Sequence, residues 1–166
     1  MNLSLRRISM GIKKIIFSLF AIAQIANSAE ALKSTYNFDT TYKNIKNTIM
    51  QKNIPIFAEF DHSKNAKEAG LELNPTKVIV FGNPKVGTLL MQENQQIATH
   101  LPLKISVWQD SKNNVYITYT DIKELAKRYK IKNKQVVTNI DNLLKDIVKI
   151  NSLYGGKIAV PKTDKL

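Results

Sequence analysis

Cysteine is absent from the 166-residue chain, which excludes a disulfide framework, a thiol nucleophile and thiolate-held zinc or iron-sulfur sites. Histidine is nearly absent as well. His62 and His100 are the two, they lack a His-x-x-x-His spacing, and with Asp61 they make a poor ligand set where a metal site asks for three or four ligands. No metal and no cofactor are expected. Glycine and proline are scarce, at 6 and 5 residues, so the chain is neither collagen-like nor low-complexity, and with 43% hydrophobic residues it can bury a core. No serine stands in a G-x-S-x-G turn, so the nucleophile elbow of the α/β-hydrolases is missing. Acid is the scarce charge: 13 Asp and Glu stand against 25 Lys and Arg, a net charge of +12.

The basic residues Arg6, Arg7, Lys13 and Lys14 precede the apolar run Ile15 to Ala23, and small residues follow before the first acid, Glu30. That is the order of a secretory signal peptide. Residues 1–31 are therefore expected to direct export to a periplasmic or secreted location, with cleavage after Ala31 or after Ala29; retention as an N-terminal anchor is the alternative. No later stretch reaches the 18 apolar residues of a membrane span. Loss of residues 1–31 leaves 21 basic and 12 acidic residues, a net charge of +9. The densest basic cluster is Lys127, Arg128, Lys130, Lys132 and Lys134. It reads either as a solvated surface or as a face for anionic lipid head groups or surface polymers. An exported protein is not expected to bind nucleic acid.

Residues 32–152 read as one α+β domain and residues 153–166, which contain Gly155-Gly156 and a lysine-bearing end, as a flexible tail. Leu32 to Tyr36 suits a short strand, followed by a helix from Thr40 to Lys52 capped by Asp39, with Tyr42, Ile45 and Ile49 on one face. A strand over Ile54 to Phe60, a helical turn closed by Gly70, and a strand over Lys77 to Phe81 come next. Pro84 suits the first turn of a helix carrying Leu89, Leu90 and Met91. The run DSKNN joins two strands, Leu103 to Gln109 and Val115 to Tyr119. Asp121 caps a helical turn, and Val137, Ile140, Leu144 and Ile147 mark a helix from Lys134 to Ile150. Strands grouped beside segregated helices imply an α+β fold.

Three motifs stand out: Asp61-His62 with Ala66, Ala69-Gly70-Leu71 and Leu73; Phe81-Gly82-Asn83-Pro84 with Gly87-Thr88 and Leu90-Met91; and Leu101-Pro102-Leu103-Lys104 leading to Trp108 and Asp110. Together, over Tyr36 to Arg128, they resemble the domain of unknown function 302 family of bacteria and archaea. The resemblance implies a β-α-β(4)-α two-layer sandwich with a mostly antiparallel sheet, and no established activity. The chain departs from the family pattern at His100, where an Asp usually precedes Leu-Pro-Leu-Lys, and at Gln109, where an acid is common.

The spacing from Gly82 to Gly87 matches a phosphate loop, but Thr88 stands where its lysine belongs. Either the loop only shapes a strand-to-helix connection, or amides at Gly82, Asn83 and Gly87, with Lys85 nearby, bind a small anion at the helix start. Asp61 either caps the following turn or orients His62 as base or ligand. The expected site is one small cleft formed by Asp61, His62, Gly82, Asn83, Lys85, Gly87, Thr88 and Lys104. It would bind a small anionic ligand or an envelope partner without catalysis. The alternative is a small hydrolase or isomerase with His62 as general base. A homodimer is also expected, on the reasoning that strands 104–109 and 115–119 carry no Pro to guard a sheet edge and would bury Trp108, Tyr116 and Tyr119 by pairing with a second copy.

Overall fold

The computed structural model describes residues 30–152 and Ile158–Ala159. The expected export signal lies outside the described residues except at Glu30 and Ala31. Both belong to the first strand, β1 (Glu30–Lys33).

Helix α1 (Phe38–Gln51) follows, capped by Asn37, whose side chain accepts from the Thr40 amide, and not by Asp39. The start moves back because Phe38 is itself a buried residue, in line with Thr41, Ile45 and Ile49 on the face that enters the core. Strand β2 (Ile56–Asp61) runs into α2 (His62–Glu68), capped by Asp61 as the sequence suggests. Gly70 takes a φ of 76° just past it, the left-handed turn glycine adopts without a Cβ penalty. Strand β3 (Thr76–Phe81) leads to α3 (Pro84–Glu93), with Asn83 as cap, and a 3-10 turn over Gln95–His100. The hairpin β4 (Leu103–Gln109) and β5 (Val115–Tyr119) has the expected bounds. Helices α4 (Ile122–Arg128) and α5 (Lys134–Lys149) complete the layer.

The strands form one sheet in the order β2-β3-β4-β5-β1, with the two-residue strand β6 (Ile158–Ala159) beyond β1. Every pairing is antiparallel. This is the α+β sandwich expected from the sequence. Residues opposed across a ladder share a face, so Ile79 with Ile105 and Val107 with Ile117 point together toward the helices. There they meet Ile45, Ile49, Leu144 and Ile147 in a single core. The other face carries Lys104, Ser106, Trp108, Tyr116 and Thr118. Trp108 stacks on Tyr116 with ring centroids 4.5 Å apart and its indole N–H donates to Thr118 at 3.0 Å.

Two expectations change. Strands β4 and β5 are interior, flanked by β3 and β1, so the unguarded edge on which the homodimer was argued does not exist. Among the described residues the rims are β2 and β6. Ile158 and Ala159, expected in a mobile tail, pair with Ala31 and Glu30, because β1 otherwise leaves one row of backbone groups without partners. No helix among the described residues is long and apolar enough to cross a membrane.

Candidate functional site

The β2–β3 ladder decides which expected site residues can meet. Asp61 faces Lys77 at one end and Ile56 faces Phe81 at the other. Four strand steps separate Lys77 from Phe81, roughly 14 Å. Asp61 and His62 therefore sit at one end of the ladder, and the Gly82 to Thr88 loop leaves from the other.

At the Asp61 end, polar groups satisfy one another. Asp61 accepts from the Ser63 hydroxyl at 2.7 Å and the Lys64 amide at 2.9 Å, and Lys77 Nζ lies 3.3 Å from its second oxygen. The Ser63 hydroxyl, then the Lys64 amide and Lys77, hold its carboxyl below the usual range. None of these bonds goes to His62, whose ring stacks on Phe60 with centroids 6.3 Å apart. Next along β2, Glu59 accepts from Tyr42 Oη at 2.6 Å and Lys46 Nζ at 2.7 Å. Lys46 and then Tyr42 lower the Glu59 carboxyl, while burial, reinforced by Glu59, pushes the Tyr42 phenol well above its ordinary value. The Lys77 ammonium lies over the Phe38 and Tyr42 rings, 5.8 and 5.2 Å from their centroids. Sequence reasoning missed this network, since nothing in the spacing announces that α1 lies across β2.

At the Gly82 end there is a cavity of about 720 Å³. It is bounded by the β3–α3 loop, α3 itself, the segment Ala98 to Leu103, Ile54 just before β2, Phe57 on β2, and Ile140 and Leu143 one turn apart on α5. Gly82, Asn83, Gly87 and Thr88 line it. Lys85 and Lys104 do not, and Lys104 Nζ donates to the Pro102 carbonyl at 3.1 Å. No charged side chain is among the lining residues.

Four polar groups of the loop are already used. Gly82 N–H donates to the Pro55 carbonyl at 3.1 Å and Gly87 N–H to the Asn83 carbonyl at 3.0 Å. Asn83 Oδ1 accepts from the Lys85 amide at 2.9 Å, and Thr88 Oγ1 donates to the Pro84 carbonyl at 2.8 Å. Two of the three amides expected to meet an anion thus have acceptors within the fold. Most of the residues that line the cavity are apolar. The leucines and methionine of α3 and the Leu101-Pro102 pair were visible as motifs in the sequence, but a lining residue and a core residue look alike there.

Among the described residues, no three His, Asp or Glu side chains group to hold a metal ion.

A 100-residue stretch of the chain is 35% identical to the fluoride-specific ion channel FluC 1 of Brucella suis biovar 1 (strain 1330), covering 60% of this chain and 39% of that protein. The same identity and share of this chain hold for FluC 1 of Brucella abortus biovar 1 (strain 9-941), of which 37% is covered. The chain thus spans about two-fifths of the length of these relatives. An uncharacterized conserved protein DUF302 from Bacillus stearothermophilus, known from a crystal structure, superposes with a TM-score of 0.63 at 17% identity, covering 72% of this chain and 94% of that one; it shares the fold. The family profile described as domain of unknown function DUF302 matches residues 30–147, nearly all of the described fold, and the chain belongs to that family.

Proposed function

We propose that the domain is a non-catalytic binding module whose cavity takes an aliphatic group. The observation that carries this reading is the cavity itself: about 720 Å³ with no charged side chain in its lining, within the roughly 300–1,000 Å³ of small-molecule sites. An apolar group entering it loses water at little polar cost, because Asn83 Oδ1 and the Thr88 hydroxyl are already bonded within the fold. A small anion gains little there, since no charged side chain lines the cavity and leaving water without strong new donors is costly. For that reason the fluoride in the names of the Brucella relatives is not assigned to this cavity.

Export completes the proposal. The basic-then-apolar order ahead of Glu30 supports it, and cleavage after Ala29 leaves β1 whole, whereas cleavage after Ala31 removes the two residues that pair with β6. His62 as general base gains no support, because the Asp61 carboxylate is bonded to other groups.

The test is a fluorescence titration with the neutral apolar probe 1-aminoanthracene, comparing the natural chain with Gly87→Leu. A Cβ at Gly87 meets only Leu101 Cδ1, at 3.8 Å, an ordinary contact, and Gly87 lines the cavity, so a leucine there takes up cavity volume. Saturable binding that weakens about tenfold or more, some 1.4 kcal/mol, with no fall in melting temperature, is expected. Absence of saturable binding, or equal affinity in the variant, contradicts the proposal.

A further inference from the structure

The turn between α4 and α5 is fixed from outside. Glu93, at the end of α3, accepts the backbone amides of Lys132 and of Asn133, the latter at 3.0 Å. Asn94 donates to the Tyr129 carbonyl at 3.0 Å, and the Tyr129 hydroxyl bonds His100 Nε2 at 2.9 Å. Inside the turn, Lys130 takes a φ of 55° and the Ile131 amide reaches back to Ala126 O at 2.8 Å.

What marks the cations on this platform is that they stand close together around one hollow without an ion pair among the described residues. Lys46, Lys52, Lys64, Lys77, Lys123 and Lys145 each pair with a carboxylate within 4 Å. Lys127, Lys130, Lys132 and Lys134 surround a second cavity, of about 520 Å³, floored by Ala126, Ile131 and Val137. None of these four takes part in the described ion pairs, and all are exposed. The nearby acid, Glu93, is bonded to backbone amides. With Arg128 they place five cations between positions 127 and 134 with no acid among them. Lys134 also stands at the N-terminus of α5, where the helix dipole disfavours positive charge. The turn thus presents four exposed ammonium groups close together, none of them in an ion pair among the described residues.

We infer that this face docks on an anionic phospholipid surface, with the lysines on phosphate head groups. Charge complementarity carries the assignment: clusters of four to eight basic residues suit anionic lipid, and each lysine near such a surface strengthens partitioning about fivefold. A spread of exposed ammonium groups fits a layer of phosphates better than one buried ion. The inference does not depend on what fills the cavity beside Gly87.

The experiment is partitioning of the full chain onto vesicles of phosphatidylcholine containing phosphatidylglycerol, for the natural sequence, Lys132→Gln/Lys134→Gln, and the control Lys43→Gln/Lys67→Gln. The apolar run Ile15 to Ala23 is common to all three, so its contribution cancels. About a thirtyfold loss is expected for the first pair and less than about a threefold loss for the control, with unchanged melting temperatures showing that both variants fold. Equal losses in the two pairs, or none in the first, overturn the inference. Displacement by inorganic pyrophosphate at low millimolar concentration also overturns it, by making the face a site for soluble phosphate.

Discussion

At the two ends of the β2–β3 ladder the fold solves opposite problems. Near Asp61, Glu59, Asp61, Lys46, Lys77, Tyr42 and Ser63 are brought together and matched in hydrogen bonds or ion pairs, which leaves little capacity for a ligand. Near Gly82, charged side chains are kept out of the lining and space is left instead. A cluster of polar residues in a sequence invites a functional reading, yet here polarity is consumed by structure, and the proposed binding rests on the unfilled apolar volume.

The largest expected effect sharpens the Gly82 end. Leu90 is fully buried and also lines the cavity, so Leu90→Ala removes core contacts and enlarges a void. It should cost about 3 kcal/mol in denaturant melts, and a cost near zero would mean that the wall collapses into the space. The smaller effect belongs to the Asp61 end. Asp61→Ala removes the cap of α2 and should cost about 1 kcal/mol while leaving binding of the apolar probe unchanged; a parallel loss of binding would join the two ends into one site. The same end governs acid sensitivity. The Asp61 and Glu59 carboxyls titrate below their unfolded values, so their stabilisation is complete above about pH 5 and is lost as pH falls through the folded pKa values. Acid melts of Asp61→Ala should therefore be less steep than those of the natural chain.

The elements were largely legible because local rules decide them. Asp61 and Asp121 as caps, the left-handed Gly70 and the bounds of the β4–β5 hairpin follow from capping and turn chemistry. The helix start at Asn37 was not, because burial of Phe38 is a tertiary effect. Sheet order was also beyond reach: a strand without Pro can be an edge or a centre, and only the return of β1 beside β5 makes β4 and β5 interior. Of the eight expected site residues, Gly82, Asn83, Gly87 and Thr88 line the cavity, and the loop they form was visible in the sequence. Asp61 and His62 were joined to them by motif rather than by distance, and no spacing in the sequence could report that the ladder sets the two ends apart.

The most direct test of the cavity is amide NMR of the protein titrated with 1-nonanol, an uncharged aliphatic alcohol. Saturable shifts at Gly82, Gly87, Thr88 and Ala98, with Asp61 to Lys64 unmoved, are the predicted result. Shifts centred on Asp61 to Lys64 or spread across the uncovered sheet face, or no saturable shift at all, would contradict it.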